Sequence, residues 1–272
     1  MNQFLKAAIY GLAVADALGV PYEFLTRGSF EAVEMVGYGS HQQPAGTWSD
    51  DTSLVLATCD SIREKGKIDP NDMQQRFKHW LFEGVYTPDG LTFDVGNATR
   101  EALTRGHGLS DEYSNGNGSL MRILPLAFTE ASPSDIEAVS SITHAHATSV
   151  EACQLYVDIA RRLLKGQQLS EILSGLETSK TYARLQTLAE LTEDDIRSTG
   201  YVVDTLEAAL WCLLTSTSYL ETVLKAVNLG DDTDTVAAVA GGLAGIIYGL
   251  EGIPDNWLAQ LRNKELLESC LF

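Results

Sequence analysis

Apolar residues in this chain recur at three- and four-residue steps far more consistently than they alternate, and that period restricts the fold more than any other feature. Leu5, Ala8, Ile9, Leu12 and Ala15 mark one buried face of a first helix. Leu54 to Ile62, Phe77 to Phe82, Cys153 to Leu164 and Leu206 to Leu214 show the same habit. No run of alternating β-branched residues stands out, and no Asn-Gly hairpin joins two such runs. Pro21, Pro44, Pro70, Pro88, Pro133 and Pro254 fall between helical stretches, where proline ends or starts a helix without breaking one. The expected class is all-α.

No Pro-rich or Gly/Ser-rich linker divides the 272 residues, so residues 1–272 are expected to form one domain. One irregular stretch, Gly106 to Gly118, is rich in Gly, Ser and Asn, and loops of that length are usually functional or disordered. Ser170 to Thr199 is more polar and suits short peripheral helices. A formal charge of −18 disfavours nucleic-acid backbones and anionic membranes as partners. Cys59, Cys153, Cys212 and Cys270 form no paired motif and read as reduced, packed thiols. The run from Lys6 to Val20 imitates a signal peptide, but Gly11 and Asp16 interrupt it and its apolar positions keep a helical period. Val236 to Leu250, about fifteen residues, falls short of the ~20 needed to span a bilayer. A cytoplasmic location is expected.

Two distant segments share a design. Trp48-Ser49-Asp50-Asp51-Thr52 precedes the apolar Leu54-Val55-Leu56-Ala57, and Gly230-Asp231-Asp232-Thr233-Asp234-Thr235 precedes Val236-Ala237-Ala238-Val239-Ala240. Each clusters carboxylates and hydroxyls where a helix begins. N-capping explains one acid at such a place, at about 1 kcal/mol, but not two or three that repel one another. Oxygen donors without Cys or His nearby suit Mg²⁺, Mn²⁺ or Ca²⁺. An EF-hand is excluded, because counting from Asp232 puts Val236 at position five and Ala237 at position six. If the cassettes meet, their oxygens could hold two cations that orient sugar hydroxyls and activate water. Asp16 and Glu23, at the end of the first helix and just past it, are further acids, as is Asp94 in Thr92-Phe93-Asp94-Val95-Gly96-Asn97. Taken singly, each also suits an ordinary cap or a solvated loop.

Five ordered blocks together resemble the ADP-ribosylglycohydrolase family, through nearly the whole chain. They are Ala15-Asp16-Ala17-Leu18-Gly19-Val20-Pro21-Tyr22-Glu23, Trp48-Ser49-Asp50-Asp51-Thr52, Phe93-Asp94-Val95-Gly96-Asn97, Gly116-Asn117-Gly118-Ser119-Leu120-Met121-Arg122 and Asn228-Leu229-Gly230-Asp231-Asp232-Thr233-Asp234-Thr235. The resemblance implies an orthogonal helical bundle with a central two-metal cleft and two divalent cations, Mg²⁺ or Mn²⁺. It implies Ser49, Asp50, Asp51, Asp232, Asp234 and Thr235 as ligands, with Glu23 and Asp94 as catalytic residues. Ser49 stands where Thr is more usual and keeps the hydroxyl. Asp231 stands where Gly is common, and its charge bears on metal binding or substrate access.

The Gly-rich segment precedes a helical pattern, Leu120 to Ala127, whose free N–H groups would suit a diphosphate. Under the resemblance, Ser114, Asn115, Gly116 and Asn117 become substrate contacts, and so does His144, in Thr143-His144-Ala145-His146 ahead of another helix. His146 has no assigned role. The implied activity is hydrolysis of the bond between ADP-ribose and a protein side chain or small-molecule acceptor, through an oxocarbenium-like transition state that carboxylates stabilise. Three rivals are weaker. Asp232-Thr233-Asp234-Thr235-Val236 fits the Asp-x-Asp-x-Thr/Val of haloacid-dehalogenase-like phosphatases, but that motif ends a buried strand in an α/β fold. A prenyl-transfer or terpene-cyclising enzyme needs Asp-Asp-x-x-Asp/Glu, and Leu54 and Thr235 occupy the last positions. A non-catalytic ADP-ribose-binding or structural relative sits poorly with the retention of Glu23 and every ligand type.

Overall fold

The computed structural model describes residues 2–272. Its α-helices are Gln3–Gly19 (α1), Asp50–Lys65 (α2), Pro70–Glu83 (α3), Asn97–Arg105 (α4), Pro133–Ser140 (α5), Ala147–Leu164 (α6), Leu169–Ser174 (α7), Val202–Leu214 (α8), Tyr219–Asn228 (α9), Thr233–Tyr248 (α10), Asp255–Gln260 (α11) and Lys264–Cys270 (α12). No strand forms among the described residues; isolated bridges join Tyr38 to Gln43, Leu109 to His144 and Gly116 to Tyr201. The all-α expectation holds.

The two ends of the chain meet because α1 and α10 pack backbone against backbone. Ala7, Gly11, Ala15 and Gly19 follow one another every four residues on α1, opposite Gly241 and Gly245 on α10. A Cβ on Gly241 would lie 2.5 Å from the Gly11 carbonyl oxygen and from the Ala15 Cβ. One on Gly19 would lie 2.6 Å from the Asp234 nitrogen. Only glycine allows that approach. Tyr219 on α9 donates to the Gly11 carbonyl at 2.5 Å, and Thr233 to the Gly19 carbonyl at 2.8 Å, so the crossing is also hydrogen-bonded. The span Gln3–Tyr22 is long and apolar enough to cross a membrane, yet 89% of its most apolar stretch is buried in this packing.

Helices α6, α8 and α9 surround α10, while α2 lies against α1, α3 and α12. The four cysteines are free and buried. Ser170 to Thr199 contains the end of α7 and two 3₁₀ segments, Lys180–Glu190 and Glu193–Asp195, as its polarity suggested. One expectation fails. Leu120 to Ala127 is not an α-helix: a turn leads into a 3₁₀ segment, Leu124–Phe128. Pro125 lies inside that stretch, removes a backbone donor and disfavours helical geometry at Leu124.

Candidate active site

Capping does not account for the two acidic cassettes. At α2 the work is done by Asp16, reaching across from α1. Its carboxylate accepts from the backbone N–H of Ser49 (2.9 Å) and Thr52 (3.0 Å), and from the Thr52 hydroxyl (2.5 Å). Ser49, the N-cap residue, accepts from the Asp51 N–H at 3.3 Å. Asp50 and Asp51 are therefore surplus to the cap. At α10, Asp232 holds the N-cap position but makes no capping bond. Elsewhere in the chain, Asp69 and Ser132 cap α3 and α5 in the ordinary way.

The surplus acids converge. The Asp51 Oδ2 accepts from Ser49 Oγ at 3.1 Å and from Thr235 Oγ1 at 3.2 Å, which ties the start of α2 to the start of α10. Asp16, Asp51 and Asp234 each offer an oxygen within 4.8 Å of the others, and so do Glu23, Asp232 and Asp234. Asp50, Asp232 and Thr235 line a cleft of about 420 Å³; Ser49, Asp51 and Asp234 are buried beside them. Three buried carboxylate oxygens, Asp51 Oδ1, Asp232 Oδ1 and Asp234 Oδ2, have no hydrogen-bond partner. An uncompensated buried carboxylate costs several kcal/mol. Burial, compounded by mutual repulsion, accordingly pushes Asp50, Asp51 and Asp234 well above the usual carboxylate range. Such a cluster needs either protons or cations, and a donor set made wholly of oxygens suits hard divalent ions.

Glu23 follows the 3₁₀ turn Val20–Tyr22 that ends α1. Burial pushes it up to about 7, aided by the negative charges of Asp94 and Asp232 and opposed by a hydrogen bond to His41. His41 Nε2 meets Glu23 Oε2 directly. Sequence reasoning missed His41, which lies in no recognised motif and ends a short 3₁₀ turn, Gly39–His41. Burial alone would lower its pKa, but Glu23 and Asp94 raise it. Asp94 lines the cleft with a left-handed backbone (φ 51), and one oxygen each from Glu23 and Asp94 lies within 4.8 Å of a His41 ring nitrogen.

The far wall of the cleft is Gly96–Thr99 at the start of α4, Gly116–Gly118 and His144. Asn117 donates to Asp232 Oδ2 at 2.7 Å and to Thr205 Oγ1 at 2.9 Å, so it orients a cluster carboxylate. Gly118 has no room for a side chain, since a Cβ would lie 2.8 Å from His144 Cε1 and 2.9 Å from Thr99 Oγ1. His144, bonded to Thr143 Oγ1, is pushed down to about 3 by burial and by nearby Arg122, so it works as a neutral imidazole. Arg122 is fully buried over the Phe77 ring and donates to the Gly118 carbonyl, fixing the glycine loop from behind. His146 caps α6 by accepting from the Thr148 N–H.

Ser114 and Asn115 are buried next to Gly116 and are not themselves among the residues lining the cleft. Ser114 donates to Asp111 and Asn115 to the Glu112 carbonyl, closing a local turn as short polar side chains do. The expected diphosphate seat at a helix start after Gly118 is also missing, because that helix does not form. Asp231 does not add to the buried cluster. Its side chain is exposed, its backbone is left-handed (φ 59), and it exchanges backbone bonds with Phe24 and Leu25.

The chain is similar to known proteins over nearly its whole length. Residues 3–271 match the family model described as ADP-ribosylglycohydrolase. The chain is 38% identical to an ADP-ribosylarginine hydrolase of Pseudomonas putida, covering 94% of this chain and 73% of that one. It is 32% identical to an ADP-ribosyl-[dinitrogen reductase] glycohydrolase of Rhodospirillum rubrum, covering 94% and 90%. A solved structure, described as an ADP-ribosylglycohydrolase-related protein complex, superposes with a TM-score of 0.84 at 34% identity, covering 98% of this chain and 95% of that one.

Proposed function

Since the chain belongs to the ADP-ribosylglycohydrolase family, we propose that it is a divalent-metal-dependent hydrolase that releases ADP-ribose from a protein side chain, with arginine as the acceptor. The observation that carries the metal dependence is the set of three orphaned carboxylate oxygens, drawn from both cassettes, beside a cleft. Ser49, Asp50, Asp51, Asp232, Asp234 and Thr235 would hold two cations, Mg²⁺ or Mn²⁺. Those ions would supply Lewis acidity and an anchor for the hydroxyls of the reacting ribose.

The chain's own groups have these roles. Glu23 orients a water and takes its proton as the water oxygen bonds to C1 of the ribose. The bond from C1 to the acceptor breaks, with its electron pair leaving on the acceptor, to which a proton is returned. Asp94, close to Glu23 in the same cleft, stabilises the positive charge that develops on the sugar and shares in the proton transfer. Neutral His144 and the Gly116–Gly118 backbone bound the substrate side without adding charge. An arginine acceptor suits an acidic cleft, because the released guanidinium is a permanent cation. The substrate is thus an ADP-ribosylated protein, with no nucleic-acid backbone and no membrane involved, and the cytoplasm is the setting proposed.

The test is a set of arginine-, serine- and nucleobase-linked ADP-ribose conjugates, plus an O-acetylated one, each with Mg²⁺, Mn²⁺ or chelator and scored by free ADP-ribose. Release from the arginine conjugate, abolished by chelator, is expected. No release from any conjugate under any metal would overturn the enzymatic reading.

A further inference from the structure

The loop between Glu23 and α2 carries a strained turn that grips Glu23. Tyr38 (φ 72) and Gln42 (φ 54) flank it in left-handed conformations, on either side of Gly39 (φ 53). Each non-glycine residue of this kind costs of order 1–3 kcal/mol and persists only where neighbouring contacts over-determine it. Those contacts converge on one short segment. Gly39 presses against Pro21, where a Cβ would lie 2.6 Å from the Pro21 Cα. Ser40 Oγ donates to the Glu23 carbonyl at 2.5 Å. His41 bonds the Glu23 carboxylate. The His41 ring is itself held between aromatic neighbours, with centroids 5.8 Å from Phe24 and 5.2 Å from Phe93, the residue before Asp94.

Three consecutive residues thus fix the backbone before Glu23, its carbonyl and one of its carboxylate oxygens. No other hydrogen bond to that carboxylate occurs among the described residues, which leaves Oε1 without a protein partner in a residue that lines the cleft. A buried carboxylate with two rotatable bonds beyond Cβ has no reason of its own to keep one orientation, and a site loose by about 1 Å loses much of its rate. We propose that His41 is a positioning residue for Glu23, its imidazole holding Oε2 so that Oε1 is presented to the attacking water. Strain in the turn is then the cost of placing the imidazole there. The proposal rests on Glu23 acting on water as described above.

Two substitutions separate the hydrogen bond from the packing. His41→Phe keeps a ring between Phe24 and Phe93 but cannot donate; His41→Gln keeps a donor. Phe is expected to lower kcat by about 10–100-fold with KM changed by less than about threefold, and Gln to recover a large part. His41→Ala is expected to regain activity with added imidazole, a rescue that a merely structural role would not show. Crystals of the Mn²⁺-loaded wild type should hold Glu23 in one rotamer on His41. Those of His41→Phe should show Glu23 turned away with Asp50, Asp51, Asp232 and Asp234 in place. Full kcat in His41→Phe, or an unmoved Glu23 in its crystals, overturns the proposal. If the wild type cleaves no conjugate, the functional reading falls by itself, and the Glu23 rotamer still decides the role of His41. Should His41→Phe fail to fold, the imidazole response of His41→Ala decides it: rescue supports positioning and its absence refutes it.

Discussion

Thr235 Oγ1 lies 3.2 Å from Asp51 Oδ2, a contact between residues 184 positions apart. It joins the first turn of α10 to the first turn of α2, and the acids around it outnumber what either helix start can use. The predictions below follow from that surplus and from the packing that creates it.

Asp51→Asn should separate folding from function. The change removes an acid whose ionisation is opposed by burial and by the charges of Asp16, Asp232 and Asp94. We expect metal-free stability to stay level or rise, because the amide avoids the cost of ionising a buried group. Stabilisation by Mn²⁺ and turnover should both disappear. Thermal melts with chelator and with Mn²⁺ read the first two, and release of ADP-ribose the third. A variant that melts normally and still responds to Mn²⁺ would exclude Asp51 as a ligand.

Asp16→Ala should behave in the opposite way. Asp16 satisfies the Ser49 and Thr52 N–H groups at a buried helix start. Leaving them unpaired costs about 2–4 kcal/mol in total. The loss should be similar with chelator and with Mn²⁺ in urea melts, because the residue's chief role is to cap α2. A loss seen only with Mn²⁺ would make it a ligand instead.

The pH dependence has a definite sign. A carboxyl whose folded-state pKa is raised stabilises the fold below its unfolded value, near ~4, and loses that contribution as pH rises through the folded value. Asp16 is pushed up to about 6 and Glu23 to about 7, and burial also raises Asp50, Asp51 and Asp234 well above the usual carboxylate range. Metal-free protein should therefore lose these contributions from about pH 4 upward, through about pH 7. Cations bind the deprotonated oxygens and restore them. The Tm difference between Mn²⁺-loaded and chelator-treated protein should be small at about pH 5 and grow toward pH 8. A difference that is flat or falls with pH would contradict the cluster as the binding site.

Gly19→Ala tests the helix crossing. The added methyl would meet the Asp234 nitrogen at 2.6 Å and the Thr233 carbonyl oxygen at 2.7 Å. Overpacking of this kind costs about 1–3 kcal/mol and here pushes α10 off α1. Weaker Mn²⁺ binding by calorimetry should accompany the lost stability. A Gly66→Ala control meets open space, although its left-handed backbone is strained, and should lose stability without changing metal affinity.

Much of the fold was legible because helical signals are local. Apolar period, proline placement and N-terminal polar clusters are written in neighbouring residues, and α1, α2, α6, α8 and α10 lie where those signals put them. The exception, Leu120 to Ala127, carries its own breaker in Pro125. The stripe Ala7, Gly11, Ala15, Gly19 was also present in the sequence, but small residues announce a close approach without naming the partner.

What the chain's sequence determined by itself was an all-α class, two surplus acidic helix starts, and the order of five family motifs. Only tertiary structure decided which side chains share a cleft. It brought Asp51 to Thr235, turned Ser114 and Asn115 into a local turn, left Asp231 outside and placed His41 on Glu23. Apart from that turn, each outcome depends on packing between segments remote in sequence, and the burial that raises the acids' pKa values, with their mutual repulsion added, exists only once α1 and α10 have closed on each other.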